Sequence, residues 1–231
     1  MAAKRWRLAG VERASVTEQV LRELREAIVD GRIPQGEQLR EASLAETFGT
    51  GRSAIREAVR QLVQEGLVDH EPHRGACVRR LSLPDRLDVY VAREAIESGA
   101  ARRAVQAAEP PGTAPLRAAF EALRAAAPEH GAVSERLIAA DLEFHRELVR
   151  LAGSPRLSRA HDTLVAETRM LLRHHPPYPV GVYVSDHERL LTAIERRDPR
   201  APDLVAEHLR LSARLIANGL ASQGEEVGVV P

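Results

Sequence analysis

Apolar residues recur every three or four positions over the first part of the chain, which is the period of an amphipathic helix. Three such segments, separated by glycine-containing turns, predict helices over 16–29, 41–48 and 52–65. After Gly66 the apolar positions fall instead into two short runs, 67–70 and 76–79, around a polar loop. That change predicts a β-hairpin. The pattern therefore indicates a helix, a helix-turn-helix and a two-stranded wing.

Beyond residue 84 the helical period returns and continues almost to the end of the sequence. Proline and glycine divide this part into six predicted helices, at 84–108, 114–127, 133–152, 155–175, 184–197 and 201–221. A brief run at 180–184 is the single strand-like pattern in it. We therefore predict a mainly α protein: an N-terminal arm (1–15), a winged helix-turn-helix (16–80), a linker (81–84), an all-α bundle (85–222) and a flexible tail (223–231).

The overall charge is zero, because 33 basic residues balance 33 acidic residues among the 231. A neutral chain argues at first against nucleic-acid binding, which usually requires a basic surface. The charge is not evenly spread, however. Residues 51–60 and 72–80 together hold six arginines and one acid, Glu57. The net charge is thus zero because the positive charge of the third predicted helix and the wing is cancelled by a small excess of acidic residues in the rest of the chain.

Composition also limits the environment of the protein. No apolar stretch approaches the roughly 18 residues of a membrane span, and no apolar segment follows the basic N-terminus as in a secretory signal. The single cysteine, Cys77, cannot form an internal disulfide. We therefore expect a cytoplasmic protein that does not bind membranes. Aromatic residues make up 3% of the chain, which disfavours stacking on single-stranded nucleic acid.

The third predicted helix carries arginines at a spacing that suits DNA. Arg52, Arg56 and Arg60 follow one another at intervals of four and so line one helix face, and Ser53 lies in the first turn. Arginine can grip a guanine edge with two hydrogen bonds in the major groove. The wing adds Arg74. A solvated charged face on an ordinary helix is the alternative, but the order of short helix, turn, arginine-bearing helix and basic hairpin favours double-stranded DNA binding.

Residues 20–78 resemble the winged-helix domain of the GntR family of bacterial transcription regulators. The resemblance rests on Gly31, Ile33-Pro34, Gly36, Leu44-Ala45, Phe48-Gly49, Arg52-Ser53, Arg56-Glu57-Ala58, Glu65-Gly66-Leu67-Val68 and Arg74-Gly75. It implies DNA contacts from Arg52, Ser53, Arg56 and the wing pair Arg74 and Gly75. The sequence departs from the family at Gly51, where Ser or Thr is usual, and at Ala54, where proline is usual.

A second group of residues has the chemistry of metal ligands. Asp141 and His145 are four residues apart on one predicted helix, and His187 and His208 lie on two others. Carboxylate and imidazole suit a first-row divalent ion, and three helices of a bundle can direct such groups to one interior point. Lone histidines on amphipathic helices are more often ordinary surface or core residues. The spacing alone leaves both interpretations open.

The order of these four residues resembles the ligand-binding (FCD-type) domain of the FadR branch of GntR regulators, six-helix subgroup. Tyr90, Arg93, Ile96 and Glu97 match the opening helix of that domain. The resemblance implies a divalent metal, zinc or nickel, held by Asp141, His145, His187 and His208. It also implies a small carboxylate effector beside the metal.

Arg93 is the candidate partner for that carboxylate, because guanidinium binds carboxylate through two parallel hydrogen bonds. A structural ion pair with Glu97, one helical turn away, is the alternative. The remaining histidines are predicted to be surface or turn residues: His70, His73, His130, His161, His174 and His175.

Together these features predict a homodimeric repressor rather than an enzyme. Two winged helices related by a two-fold axis suit a pseudo-palindromic operator, and the effector would control operator binding from the helical domain. Two alternatives remain at this point: a ligand-responsive regulator without metal, and a metallohydrolase that uses the Asp and His residues around a bound water.

Overall fold

The computed structural model describes residues 16–71, 74–109, 112–127, 134–172 and 180–221, and it gives no account of the side chains at 180–182 and 218–221. The chain separates into two compact units, Met1–Arg79 and Arg80–Pro231. The predicted arm and tail lie outside the described residues, as do His73, His130, His174 and His175. No helix within the described ranges is long and apolar enough to span a bilayer.

The first unit is a winged helix-turn-helix. It contains α1 (Val16–Val29), α2 (Glu41–Thr47), α3 (Arg52–Gln64), β1 (Val68–Glu71) and β2 (Gly75–Val78). The amphipathic face of α3 buries Ile55 and Leu62 completely, and α3 packs against α1, where Leu24 and Ile28 are also buried. Gly66, at a φ of 74°, ends α3 in the left-handed conformation that glycine tolerates best. The predicted helices and wing are confirmed, with ends that differ by at most one residue.

The wing is a short antiparallel hairpin that is tied to the loop before α2. Strands β1 and β2 pair in a register that places Val68 opposite Val78 and Glu71 opposite Gly75. Residues 36–39 run along the other side of β2, where the Leu39 amide donates to the Ala76 carbonyl over 2.8 Å. An ion pair between Arg25 and Glu65 (2.6 Å) fastens α1 to the end of α3. The hydrogen bonds to residues 36–39 thus hold the wing against the loop before α2, and the ion pair holds α1 to α3.

The second unit is a helical bundle. Its helices in the described residues are α4 (Leu83–Gln106), α5 (Ala114–Ala126), α6 (Glu135–Arg150), α7 (Pro155–Leu172), α8 (Val180–Glu195) and α9 (Ala201–Ala221). Helix α4 packs against α6, α7, α8 and α9 and is therefore the central element. The predicted mainly α architecture is confirmed.

Two local expectations differ from the structure. The strand-like run at 180–184 forms the first turn of α8, so the clustering of three valines did not decide the local conformation. The predicted linker at 81–84 is largely the start of α4. Ser82 caps that helix: its hydroxyl accepts from the Asp85 amide, while the Asp85 carboxylate accepts from the Ser82 amide (2.9 Å).

Candidate functional site

The basic face of α3 is exposed. Arg52, Ser53, Arg56 and Arg60 all point away from the buried side of the helix, whose apolar residues form the core of the first unit. Gly51 is the residue before the helix, and it offers no side chain to cap the free amides there. The helix therefore has free backbone N–H groups at its start and exposed arginines along one face, and both are features of a DNA-reading helix.

Most of these arginines are paired with carboxylates. Arg56 makes a bidentate pair with Glu41 of α2, with Nη2 2.9 Å and Nε 3.2 Å from Oε2. Arg60 pairs with Glu57 within α3. Within the described parts of the chain, Arg52 has no hydrogen bond or ion pair. On this face Arg52 is unpaired among the described residues at the start of the helix, and Arg56 and Arg60, which follow it, are each held by an acidic residue.

The wing presents a further arginine, Arg74, in an ordered conformation. Arg74 donates to Glu71 (2.5 Å) and to the Gly36 carbonyl (3.2 Å), and its own carbonyl accepts from the Gln38 side chain. Gly75 has a φ of 76°, which only glycine adopts without strain, and lies exposed at the start of β2. Each predicted DNA-contacting residue is therefore on a solvent-facing part of the first unit.

In the second unit, the four predicted ligand residues meet in the bundle interior. Asp141 and His145 come from α6, His187 from α8 and His208 from α9, and all four are at least 92% buried. One ring nitrogen of each of the three histidines lies within 4.8 Å of one nitrogen of the other two. Oδ1 of Asp141 lies 2.9 Å from Nε2 of His187 and 3.6 Å from Nε2 of His145. The four residues that the resemblance grouped are therefore close together in the structure.

The hydrogen bond at one end of the His187 ring determines what the other end can do. Nδ1 lies 2.8 Å from the Tyr183 carbonyl oxygen, which can only accept, so Nδ1 carries the proton. In the neutral ring Nε2 is then an acceptor, yet it faces an Asp141 carboxylate oxygen. Among the described residues this buried Nε2 has no hydrogen-bond partner. Two acceptors directed at each other require a proton or a cation between them.

The His145 ring is oriented in a similar way by a carboxylate. Nδ1 lies 2.6 Å from Oε2 of Glu97, a fully buried residue of α4. With that nitrogen donating to Glu97, Nε2 faces Asp141 and the other two histidines. A carboxylate behind a ligating histidine is a common arrangement in metal sites, because it fixes the ring and its tautomer.

Electrostatics keep most of the cluster in forms that can bind metal. Burial would raise the pKa of Asp141, but His145 and His187 hold the pKa of this carboxyl well below its usual range. Burial and the adjacent His187 and His145 lower the pKa of His208 far below 6.5, so its ring is neutral. Burial would also lower the pKa of His145, but Glu97 and Asp141 raise it to about 9. Ligation through His145 therefore releases a proton.

Arg93 lies in the same buried region with one donor unused. Its Nε donates to Oε1 of Glu97 over 2.8 Å, and its guanidinium carbon is 5.2 Å from the centre of the Tyr90 ring. Its Nη2 is buried and has no hydrogen-bond partner in the described part of the chain. The structural pair with Glu97 is thus present, and a donor remains available for an anion.

Sequence reasoning missed two members of this region. Glu97 was considered only as a partner of Arg93, and His161 was predicted to be a surface or turn residue. That prediction for His161 is wrong: its side chain is 1% exposed and its Nε2 lies 2.9 Å from Oε1 of Glu97. His161 shares the buried side of α7 with Val165 and Thr168, and this helical spacing was the available signal. His70, by contrast, is exposed on β1.

A cleft of about 390 Å³ lies between α8 and α9 and reaches His208. Its walls carry both charges and apolar groups, and they comprise Asp186, Arg189, Leu190, Leu204, Glu207, Leu211 and Arg214. A volume of this size accommodates a small molecule. The cleft gives a solvent-facing route towards one edge of the histidine cluster.

The donor set and its protonation together fit a divalent metal ion. One carboxylate and three imidazoles from three helices match the ligands that zinc and nickel take in proteins. The orphaned Nε2 of His187 and the close approach of Asp141 are both relieved by a cation between them. Asp141, His145, His187 and His208 are the residues that would hold it.

Comparison with known protein families finds two matches. The model described as "Bacterial regulatory proteins, gntR family" matches residues 16–78, and the "FCD domain" model matches residues 88–211. The second match alone covers more than half of the chain and contains every residue of the buried cluster.

Individual relatives agree with these matches. A "Probable D-xylose utilization operon transcriptional repressor" from Paenarthrobacter nicotinovorans is 30% identical over 94% of this chain and 95% of its own length. The solved structure described as E. coli McbR/YncC superposes with a TM-score of 0.74 over 90% of this chain and 100% of that one, at 22% identity. A putative GntR regulator from Rhodococcus sp. RHA1 gives 0.73 over 87% and 97%, at 23% identity. The two structures support the fold.

Proposed function

The chain belongs to the GntR family of bacterial regulatory proteins and is a transcription regulator with an FCD domain, and from that premise we propose a more specific function. It is a homodimeric, metal-dependent repressor that binds a pseudo-palindromic DNA operator. A small carboxylate effector, bound beside a divalent metal in the helical unit, controls that binding. Family and relatives are regulators rather than enzymes, so the metallohydrolase alternative is set aside.

The observation that carries the metal proposal is the contact between His187 and Asp141. The Tyr183 carbonyl fixes the His187 proton on Nδ1, which leaves Nε2 directed at the Asp141 carboxylate at 2.9 Å. In the neutral His187 ring, the lone pair of Nε2 and a lone pair of the buried carboxylate face each other, which is costly in a low-dielectric interior. A divalent ion bound between these two atoms relieves the repulsion, and it takes up the lone pairs of all three imidazoles once His145 has released its proton.

The effector proposal rests on Arg93. Its buried Nη2 has no hydrogen-bond partner within the described residues, and an unsatisfied buried donor is costly. A carboxylate satisfies that donor and is attracted by a nearby metal at the same time. Glu97 accepts from Nε of the same guanidinium, so the guanidinium stays in place when no effector is bound.

In DNA binding, the arginines of α3 and the wing have different tasks. Arg52, Arg56 and Arg60 lie on the helix that enters the major groove, with Ser53 at its first turn near phosphate. Arg74 and Gly75 extend the contact from the wing. Such contacts provide affinity that depends on salt as well as on sequence. Zero net charge keeps non-specific binding modest. The description of the Paenarthrobacter nicotinovorans relative as a probable repressor supports the sign of regulation proposed here.

Metal binding by the full-length protein tests the proposal. Equilibrium dialysis against Zn²⁺ and Ni²⁺ should give about one ion per chain, and the His187→Ala variant should bind far less. The His70→Ala variant, which alters an exposed histidine of β1, is the matched control and should bind as the wild type does. Stoichiometric binding that survives His187→Ala would contradict the proposed site. A wild-type chain without metal would favour a regulator whose histidines contact the ligand directly.

A further inference from the structure

Glu97 is the centre of a buried hydrogen-bond network on the side of the cluster away from Asp141. Its carboxylate accepts from three side chains on three helices: Nε of Arg93 (2.8 Å), Nδ1 of His145 (2.6 Å) and Nε2 of His161 (2.9 Å). None of its surface reaches solvent. Burial alone would raise its pKa, but Arg93 and His145 hold the pKa of Glu97 well below the usual range, so it is ionised.

The two oxygens of Glu97 have separate partners. Oε2 receives the His145 proton, and Oε1 receives the protons of Arg93 and His161. With Oε2 engaged, the His145 ring cannot rotate without breaking a charge-assisted hydrogen bond. Because Oε1 accepts from Nε, Arg93 is fixed in place. Its Nη2 is then the guanidinium nitrogen without a hydrogen-bond partner among the described residues. One carboxylate therefore determines the presentation of a ligand nitrogen and of an anion donor.

We propose that Glu97 is the positioning residue of this site: it holds His145 with Nε2 towards the metal and anchors Arg93 with Nη2 available to the effector. This inference rests on the metal site proposed above. His161 completes the role of Glu97, because its hydrogen bond occupies the second lone pair of Oε1 and keeps the carboxylate from rotating.

A purely structural ion pair between Arg93 and Glu97 is the competing explanation. Such a pair would contribute to packing and stability, and its loss would lower the melting temperature. It would not change which nitrogen of His145 faces the cluster. The two explanations therefore differ in the state of the His145 ring and in metal affinity, and both can be measured on the folded full-length protein.

Two substitutions separate positioning from charge. Glu97→Gln keeps the shape of the side chain and removes its charge. Glu97→Asp keeps the charge in the site and withdraws the carboxylate from all three partners, His145 included, by one methylene. Glu94→Gln is the matched control, because Glu94 lies one turn earlier on α4 and pairs with Arg210 outside the cluster. The Asp variant also keeps the test available if the Gln variant does not fold.

The first readout is Zn²⁺ affinity, measured by competition with a chelating dye. Removing the partner of a ligating histidine typically weakens metal binding by about 10- to 100-fold. We expect a loss of that size in both Glu97 variants and none in Glu94→Gln.

The second readout is ¹H–¹⁵N NMR of histidine-labelled, Zn²⁺-loaded protein, in which the wild type should show a protected His145 Nδ1–H proton. That signal should disappear or exchange rapidly in the Glu97 variants.

The outcomes distinguish this inference from the proposal on which it rests. Weakened Zn²⁺ binding together with loss of the His145 Nδ1–H signal supports it. Wild-type affinity in both variants overturns it, as does weakened affinity with the Nδ1–H signal unchanged, which would indicate a charge effect alone. If the wild-type protein itself binds no Zn²⁺, the proposed metal site fails and the inference falls with it.

Discussion

At the scale of single residues, the DNA-reading arginines are organised by the acids beside them. Glu41 holds the Arg56 guanidinium through both nitrogens that face it, and Glu71 holds Arg74 across the hairpin. Exposed ion pairs of this kind contribute little to stability. Phosphates and guanine edges can therefore displace them at small cost, while the arginines stay in the correct region before DNA arrives.

The first prediction concerns Arg56. Replacing it with alanine should weaken binding to a duplex that the wild type selects from a random pool by about 10- to 100-fold, since one base or phosphate contact is lost. Fluorescence anisotropy at fixed salt measures the change. Arg124→Ala, on an exposed arginine of α5 that also pairs with a glutamate, should bind normally. Wild-type affinity in Arg56→Ala would contradict the assignment of α3 as the reading helix.

The second prediction concerns Glu41. Replacing it with glutamine removes a negative charge from the DNA-facing side and releases Arg56. Binding to a scrambled duplex should rise severalfold at low salt, because the added attraction does not depend on sequence. The ratio of affinities for selected and scrambled duplexes should fall. Glu121→Gln on α5 serves as the control. An unchanged ratio would show that Glu41 does not restrain Arg56 in solution.

The residue scale also shows where sequence reasoning stops. Asp141, His145, His187 and His208 could be grouped from residue type and order, because the resemblance supplied their relation. Glu97 could not be recognised as the centre of a network, because its partners His145 and His161 are 48 and 64 positions away. His161 has no local feature that marks it as polar and functional. Only the packing of α4, α6 and α7 brings these three side chains together.

At the scale of elements, the helical period of the apolar residues was clear enough to predict the architecture. The amphipathic faces of α1 and α3 and the glycine that ends α3 all follow from local sequence rules. Residues 180–184 show the limit of such rules: β-branched valines favour a strand locally, but this segment opens a helix of the bundle. Tertiary packing outweighs a weak local propensity.

The third prediction belongs to the turn between α2 and α3. Gly51 has ordinary helix-capping angles, and a Cβ there would meet only the Ser53 hydroxyl, at 3.7 Å. Gly51→Ser should therefore stabilise the protein by a few tenths to about 1 kcal/mol, through capping and a less flexible unfolded chain. Gly49→Ser, at a φ of 58°, should destabilise it by about 1–2 kcal/mol.

Urea unfolding of the two glycine variants measures this contrast. The comparison is sharp because the substitution is identical and the sites are two residues apart. A loss of stability in Gly51→Ser equal to that in Gly49→Ser would show that the turn does not have the described conformation. Gly51→Ser should also bind DNA more tightly, since its hydroxyl lies next to the first amides of α3.

At the scale of the whole molecule, the function requires that the two units communicate. The buried cluster belongs to the second unit, while the DNA-contacting residues belong to the first. Control of one by the other is allosteric in the strict sense if metal or effector binds the DNA-competent and DNA-incompetent states with different affinities. Typical coupling of this kind changes affinity by about 5- to 150-fold.

The fourth prediction tests that coupling. Removing metal with a chelator should change the affinity of the wild-type protein for its selected duplex by a factor within that range. The His187→Ala variant should not respond, because its site is already impaired. The same treatment should lower the thermal stability of the wild type, since a ligand at about 100 times its Kd stabilises the folded state by about 2.7 kcal/mol. Equal DNA affinity with and without metal would contradict metal control.

The central claim is that Asp141, His145, His187 and His208 hold a metal ion, and anomalous X-ray scattering from crystals of the full-length protein grown with Zn²⁺ tests it most directly. The account predicts one peak per chain at the zinc edge, about 2.0–2.2 Å from Nε2 of His145, Nε2 of His187, a ring nitrogen of His208 and an oxygen of Asp141. A peak confined to other residues, or no peak in the bundle at saturating Zn²⁺, would contradict it.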